Sequence, residues 1–452
     1  MKNTKAHIAG IGGEGWSWIA KVLIERGWEV TGCDLECGKR VGELKQLGLK
    51  RFLKGHSTDH ITADLDYFLY SSALLSHDIP LKEINYARSL GTKVLDRTEF
   101  LPELLEENNV VAITGTHGKT TTSSIVAYLL NSFGDKCGFG VGGTVRNFNT
   151  NGRNGDSNTF VLEADEFADA FLGVKPYIGV ITSLEMDHHD YFKDFDTYTK
   201  SFKKFASNIN TGGQLIMWGD GTPVEELKNV TNSDVITYGE CDGNDVRILS
   251  IDVEGFDTKW SFDIDGDKFS ASVPFPGKQY AYNATAALLV CKRMGFDIKR
   301  AISLLGDFKG AGRRFEYHEK NGITIVNDYA HHPTEVQFTV EAAKSTGKRV
   351  IVVFEPHQYK RSAELKDEFI GVFDGVDLLQ TEIFASREDK PHPITNEEFF
   401  DVTKSNASSA KYVGQYINAV DEAVGLANSG DLVLVLAVGH GDQIVAQMLE
   451  SI

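Results

Sequence analysis

Three successive α/β domains on mainly parallel sheets are the architecture that this sequence of 452 residues predicts. The chain is roughly two to three times the length of an ordinary domain. Short β-branched runs alternate with helical periodicity along most of it, and each third opens with its own glycine-rich or phosphate-type signal. Boundaries fall at residues 1–104, 105–307 and 308–452.

In the first domain His7–Ile11 reads as a buried strand, Trp16–Arg26 as a helix and Trp28–Cys33 as a second strand, with further strands at Tyr67–Ser71 and Thr92–Leu95. The turn Gly10-Ile11-Gly12-Gly13-Glu14-Gly15, followed by Asp34 after the second strand, has the form of a dinucleotide fingerprint and makes the domain Rossmann-like. It places a phosphate or diphosphate at a helix N-terminus, and a nucleotide-sugar diphosphate fits it as well as NAD.

The second domain is predicted to carry strands at Val110–Thr114, Phe160–Glu163 and Tyr177–Ile181, and helices at Thr120–Leu130, Asp196–Ala206 and Tyr280–Arg293. Alternating segments from Val235 to Phe275 suggest an antiparallel β insertion. Between a strand and a helix stands Gly115-Thr116-His117-Gly118-Lys119-Thr120-Thr121. Glycines let backbone N–H groups approach phosphate oxygens, Lys119 adds positive charge for the β- and γ-phosphates, and the Thr120 hydroxyl is a Mg²⁺ ligand. The first glycine precedes Gly118 by three positions, which departs from the usual spacing, but the context makes this a P-loop-type ATPase domain. Glu163-Ala164-Asp165-Glu166 and Asp187-His188-His189-Asp190 each follow a strand, where ligands of open parallel sheets bind, and a carboxylate with an imidazole there suits a second Mg²⁺.

The third domain, with strands at Ile323–Val326, Arg349–Phe354, Leu378–Thr381 and Leu432–Ala437, is again Rossmann-like. Arg313-Arg314-Phe315-Glu316 offers cations for a transferring phosphoryl group, and Asp328 stands at a strand end where a ribose could bond to it. His331 and His332 precede Pro333, which also suits a plain helix-opening turn.

Composition narrows the function classes. A formal net charge of -18 argues against a nucleic-acid partner, since nothing would neutralise a run of phosphates. The five cysteines form no disulfide framework, and no second Cys or His pair stands at zinc-like spacing from Cys33 and Cys37. No apolar run approaches the ~20 residues of a membrane span, and no signal core follows Met1, so a cytoplasmic protein is expected.

Taken together, the glycine motif at Gly10–Gly15, Tyr70-Ser71-Ser72-Ala73, Gly115–Thr122, Glu163–Glu166, Asp187–His188, Arg313–Phe315 and Asp328–Pro333 resemble the Mur ligase family nearly end to end. The resemblance implies an ATP- and Mg²⁺-dependent ligase, monomeric or homodimeric. It would activate the lactyl carboxylate of UDP-N-acetylmuramate as an acyl phosphate and join it to the amine of L-alanine or a related amino compound. It further implies that Gly12, Gly13, Gly15, Asp34, His56, Ser71 and Ser72 hold the UDP-sugar. ATP would be bound by Gly115, Thr116, His117, Gly118, Lys119, Thr120, Thr121, Asn283, Arg314 and Asp328, with metal at Thr120, Glu163 and His188. Lys119, Glu163, His188, Arg314 and His331 would serve catalysis, and His331 and Arg361 the amino acid, as the C-terminal domain closes over the nucleotide.

Some positions depart from the family pattern. Gln279-Tyr280 stands where His-Asn is usual, Gln358 where an arginine is common, and Trp16 and Trp18 where smaller residues follow the glycine loop. Tyr280 is therefore a candidate for stacking, and the tryptophans for packing the helix or reshaping the diphosphate site. Rival readings are a ligase that attaches a preformed tripeptide to the same UDP-sugar, an NAD-dependent dehydrogenase, and a non-catalytic nucleotide-binding regulator. The last two leave Gly115–Thr122, or the intact Lys119, Glu163 and His188, without a purpose.

Overall fold

The computed structural model describes residues 3–71, 74, 78–188, 191–386, 388 and 390–452. Three sheets carry the chain, and it divides into two compact units: residues 1–247, 263–267 and 283–304 form the first, and 248–262, 268–282 and 305–452 the second.

The first sheet contains β1 (Lys5–Ala9), β2 (Glu29–Asp34), β3 (Arg51–Lys54), β4 (Tyr67–Tyr70) and β5 (Lys93–Asp96), all parallel in the order β3-β2-β1-β4-β5. Between them run α1 (Glu14–Glu25), α2 (Lys39–Leu47) and α3 (Asp78–Ser89), and α4 (Arg97–Leu104) leaves the last strand through an Asp96/Glu99 capping box. The order reverses between β1 and β4, so the turn after β1 opens at a topological switch point, the place where such sheets take ligands.

The second sheet begins with β6 (Asn109–Thr114), followed by α5 (Lys119–Ser132), β7 (Gly138–Val145), β8 (Thr150–Arg153), β9 (Thr159–Glu163), β10 (Ile178–Ile181), α6 (Phe195–Ser207), β11 (Gln214–Trp218), α7 (Val224–Lys228) and β12 (Asp234–Gly239). Its order is β12-β11-β10-β6-β9-β7-β8, with β13 (Val246–Glu254), β14 (Asp257–Ile264) and β15 (Asp267–Val273) continuing beyond β12. The helices α8 (Lys278–Arg293) and α9 (Ile298–Leu304) follow. Here the antiparallel insertion expected from Val235 to Phe275 is corrected at its start only. β12 lies parallel to β11, and β13 enters parallel to β12 through Tyr238↔Val246. Residue alternation marks a strand but carries no information on the direction of its neighbour.

The two sheets of the first unit are joined through α1. Trp18 is 4% exposed and packs on Phe160, while Gly140 of β7 and Gly152 of β8 lie beneath its ring and backbone. A Cβ at either glycine would come within 2.4 and 2.5 Å of Trp18 atoms, so only glycine fits there. Trp16, 3% exposed, stacks on Phe100. Both tryptophans are thus packing residues. Beside them the buried Lys21 ammonium bonds Asn151 at 2.7 Å and Glu43 at 2.6 Å.

The second unit holds β16 (Glu316–Lys320), β17 (Ile323–Asp328), α10 (Pro333–Ser345), β18 (Val350–Glu355), α11 (Tyr359–Glu364), β19 (Asp377–Thr381), α12 (Asn396–Thr403), β20 (Ser409–Gly414), α13 (Tyr416–Leu426), β21 (Leu432–Ala437) and α14 (Gly441–Ser451). Its order is β16-β17-β21-β18-β19-β20, with only the edge strand β16 antiparallel. Its core strands are apolar on both faces, as expected where helices cover both sides. Among the described residues no helix is long and apolar enough to cross a membrane.

Candidate active site

β6, β9 and β10 are adjacent and parallel, so the turns that follow them lie along one edge of the sheet. The turn after β6 is the loop Gly115–Gly118, and two of its glycines are required by geometry. Gly115 has φ +125, and a Cβ there would lie 2.4 Å from Thr182 Oγ1. Gly118, at φ +82, caps α5, and its Cβ would lie 2.4 Å from Asn283 Oδ1. Asn283 of α8 is therefore placed directly against the loop. The backbone N–H of His117 donates to Ser183 Oγ at 2.9 Å, and His117 Nε2 pairs with Glu185 at 2.8 Å. Thr116 Oγ1 meets the Tyr198 hydroxyl at 3.0 Å.

Lys119, Thr120, Glu163 and His188 converge at this edge. Lys119 Nζ donates to Glu166 Oε1 at 2.9 Å, and His188 Nε2 stands 3.6 Å from the same oxygen. Thr120 Oγ1 donates to Glu163 Oε1 at 2.9 Å, while the other carboxylate oxygen accepts the Gly142 N–H at 2.6 Å. Glu166 is fully buried, and its Oε2 has no hydrogen-bond partner among the described residues. This orphaned oxygen stands next to His188, and Thr120 with Glu163 offers further oxygens at the same edge, donors of the kind that suit Mg²⁺. Glu166, which links Lys119 to His188, was visible in the sequence only as part of an acidic run.

The electrostatics follow from this crowding. Burial alone would lower the Lys119 amine, but the carboxylates of Glu166, Asp165 and Glu163 outweigh it and hold the amine above its ordinary value. Burial likewise disfavours charge on His188, yet its bond to Glu166 and the neighbouring Asp187 raise the imidazole above its usual range. Asp165 is held low despite burial, by Arg97, Lys119 and His188.

The first glycine loop lies at the C-terminal end of β1. Asp34 closes it: its Oδ2 accepts the Gly12 N–H at 2.8 Å and its Oδ1 the Leu35 N–H at 2.8 Å. Gly13 caps α1 without a side-chain bond, leaving its turn open. Arg97, at the start of α4, was missed from sequence. Its guanidinium covers Gly15 so closely that a Cβ there would meet Nη1 at 2.4 Å, and Nη2 bonds Asp165 at 3.0 Å. One cation therefore touches the first glycine loop and the acidic segment that follows β9. Ser71 backs on to Gly10, whereas the His56 ring is turned inward, 3.0 Å from Glu83. Ser72 lies outside the described residues.

In the second unit, both Asp328 oxygens already accept backbone N–H groups, from Phe315 at 2.7 Å and Ala330 at 2.8 Å. A ribose would have to add to these bonds. Burial raises this carboxyl above the usual range, against the pull of Arg314. Arg313 and Arg314 lie over the Tyr329 ring at 4.6 and 4.9 Å. His331 bonds the Tyr329 carbonyl at 3.0 Å and faces His357 edge-on, while His332 is the N-cap of α10. Arg361 donates to Gln358 Oε1 at 3.3 Å and lies 3.0 Å from His357 Nδ1, so the departure at Gln358 buttresses Arg361. Tyr280 is 3% exposed, stacked on Phe275 and bonded to the Arg314 carbonyl at 3.0 Å, so its ring is committed to packing.

A parallel-sheet ATPase-type loop, an acidic edge and a separate diphosphate-type loop define a nucleotide-dependent ligase class, and the chain belongs to the Mur ligase family. Residues 5–109 match the Mur ligase family, catalytic domain, residues 113–291 the Mur ligase middle domain, and residues 313–439 the Mur ligase, glutamate ligase domain. It is similar to the UDP-N-acetylmuramate–L-alanine ligase of Clostridium kluyveri, 32% identical over 449 residues that cover 98% of this chain and 97% of that one. The protein of the same name from Clostridium acetobutylicum is 35% identical, over 97% and 95% of the two chains. Among solved structures, a UDP-N-acetylmuramate–alanine ligase from Thermotoga maritima shares the fold at TM-score 0.82, with 23% identity over 99% of both chains. A murein peptide ligase from Psychrobacter arcticus shares it at 0.72, with 23% identity over 99% of this chain and 98% of that one.

Proposed function

We propose that the protein is an ATP-dependent ligase forming the amide bond between the lactyl carboxylate of UDP-N-acetylmuramate and L-alanine, in peptidoglycan precursor synthesis. The reading is carried by near full-length similarity to L-alanine ligases in a chain whose Lys119, Thr120, Glu163 and His188 converge.

A carboxylate and an amine react poorly because oxide or hydroxide is a bad leaving group. Attack of a carboxylate oxygen on the γ-phosphorus of ATP releases ADP and leaves an acyl phosphate. The amine then attacks the acyl carbon, a tetrahedral intermediate forms, and inorganic phosphate departs as the nitrogen loses a proton. The backbone N–H groups at the N-terminus of α5, from Gly118 onward, would cradle the triphosphate, and Lys119 would place its ammonium against the developing phosphoryl charge. Thr120, Glu163 and His188, with Glu166 behind them, would hold Mg²⁺, which when bound neutralises phosphate charge. Gly12, Gly13 and Gly15, closed by Asp34 and covered by Arg97, would hold the sugar diphosphate. By family resemblance Arg314 and Asp328 serve the nucleotide, and His331 and Arg361 the amino acid.

The test is a panel. With UDP-N-acetylmuramate, ATP and Mg²⁺ supplied, phosphate release is followed on addition of L-alanine, glycine, L-serine or the tripeptide L-alanyl-D-glutamyl-diaminopimelate. L-Alanine gives the highest kcat/KM, and EDTA stops turnover. A response to the tripeptide alone would replace the proposal with the wall-recycling reaction.

A further inference from the structure

Five chemically related side chains, of which family resemblance gives only His56 another role, come together at the first sheet. They are His7 on β1, Cys33 on β2, His56 and His60 after β3, and Glu83 on α3. Spread over 77 positions of sequence, they show no metal-binding spacing, and only the fold assembles them. Their surroundings are apolar: Ala9, Ile61, Phe68, Tyr70, Ile84 and Ala87 form one buried cluster that includes Cys33.

The distances resemble a coordination shell. Cys33 Sγ is 3.5 Å from His56 Nδ1 and 3.9 Å from Glu83 Oε1, and His56 Nδ1 is 3.0 Å from Glu83 Oε2. His60 Nδ1 lies 3.5 Å from Glu83 Oε1. Tetrahedral zinc, with bonds of about 2.0–2.3 Å, separates neighbouring ligand atoms by roughly 3.3–3.6 Å. The ligand atoms of His7, Cys33 and His60 also fall within 4.8 Å of one another.

Without a cation the cluster is costly. Glu83 and Cys33 are both 0% exposed, and this carboxylate is surrounded by the His56 and His60 imidazoles, the Cys33 thiol and the Ser57 N–H at 2.6 Å. A buried carboxylate in an apolar shell needs a compensating charge. His7 adds a second sign. It too is 0% exposed, its Nδ1 is fixed by Thr31 Oγ1 at 2.9 Å, and its Nε2 has no hydrogen-bond partner among the described residues. His60 Nδ1 and His56 Nε2 are likewise buried without a hydrogen-bond partner.

We propose that Cys33 Sγ, His56 Nδ1 and a carboxylate oxygen of Glu83, whose ligand atoms lie within 4.8 Å of one another, bind one divalent transition-metal ion, zinc by the nature of the donors, and that His60, 3.5 Å from Glu83, is drawn in as the fourth ligand. His7 stands beside the ion as a positioning residue or replacement ligand. On binding, the Cys33 thiol releases its proton to solvent. Two positive charges on the metal then balance one thiolate and one carboxylate, with the imidazoles neutral. The ion ties β2, the 55–60 segment and α3 together and is structural: four protein ligands leave no open position for chemistry. A mixed S/N/O shell also separates this site from the ATP edge, whose oxygen-rich donors suit Mg²⁺.

The experiment uses the full chain, loaded with Zn²⁺ or Co²⁺ in the presence of excess Mg²⁺ and then dialysed against metal-free buffer. The expected result is about one equivalent of retained metal, and for Co²⁺ a near-ultraviolet thiolate charge-transfer band with visible bands of a four-coordinate ion. Cys33→Ser, nearly isosteric and checked for folding by circular dichroism, loses the charge-transfer band. His60→Asn weakens retention by roughly ten-fold or more. Cys37→Ser, which removes the exposed neighbouring thiol, changes neither. Folded wild-type protein that retains no more metal than Cys33→Ser, or a cobalt–thiolate band that survives Cys33→Ser, would overturn the proposal.

Discussion

The two glycine turns of the first unit are built alike and equipped differently. Each follows a strand at a point where the sheet order reverses and each leads into a helix. The turn at Gly10–Gly15 has a carboxylate, Asp34, on one of its own N–H groups and a single cation, Arg97, above it. The turn at Gly115–Gly118 has a lysine at the first helical position and two carboxylates, Glu163 and Glu166, from the end of β9 and the segment that follows it. A turn with one arginine above a helix N-terminus suits a diphosphate. A turn with a lysine, a hydroxyl and surplus negative charge suits a triphosphate that arrives with a metal. The helix N-terminus is common to both, so it is the flanking side chains that assign each turn its nucleotide.

Lys119→Ala should break the comparison most severely. It removes the cation from the second turn, and turnover should fall by about 10²–10³-fold or more, while calorimetry finds UDP-N-acetylmuramate binding unchanged. Loss of UDP-sugar binding with retained ATP binding would exchange the roles of the two turns.

Trp18→Ala should follow in size, acting on stability. Removing a ring packed on Gly140 and Gly152 costs about 3–5 kcal/mol, seen as a lower midpoint in urea. KM values measured well below the transition should not move. Unchanged stability with weaker UDP-sugar binding would return Trp18 to the ligand site.

Arg97→Ala sharpens the distinction with a smaller effect. A charged hydrogen bond of ~1.5–3 kcal/mol corresponds to roughly 10–100-fold, expected in KM for the UDP-sugar with a lesser change in kcat. A change confined to KM for ATP would make Arg97 a support for Asp165 only.

How much of this was legible in sequence depended on whether the signal was local. The strand–glycine–helix turns and the residues of Gly115–Thr121 could be read because backbone geometry demands those residue types in order. β7 was missed because Gly138, Gly140 and Gly142 depress strand propensity. Those glycines exist for partners far away in the chain, Trp18 for Gly140 and Glu163 for Gly142. The edge strands β3, β16 and β20 are mostly exposed or half-buried and carry no apolar run to mark them. Arg97 and Glu166 escaped selection because their roles come from contacts across 68 and 47 positions. Tyr280 was expected to be free to stack on a base, and it is buried against Phe275. An aromatic at helical spacing does not reveal which face is covered.

The most direct measurement is a crystal structure of the enzyme with UDP-N-acetylmuramate, Mg²⁺ and a non-hydrolysable ATP analogue. The account predicts the triphosphate on Gly115–Thr121, with a metal about 2.1 Å from Thr120 Oγ1 or a nearby carboxylate oxygen, and the UDP diphosphate at Gly12–Gly15 beneath Arg97. A triphosphate seated on the first turn, or a metal bound away from Thr120, Glu163 and His188, would contradict it.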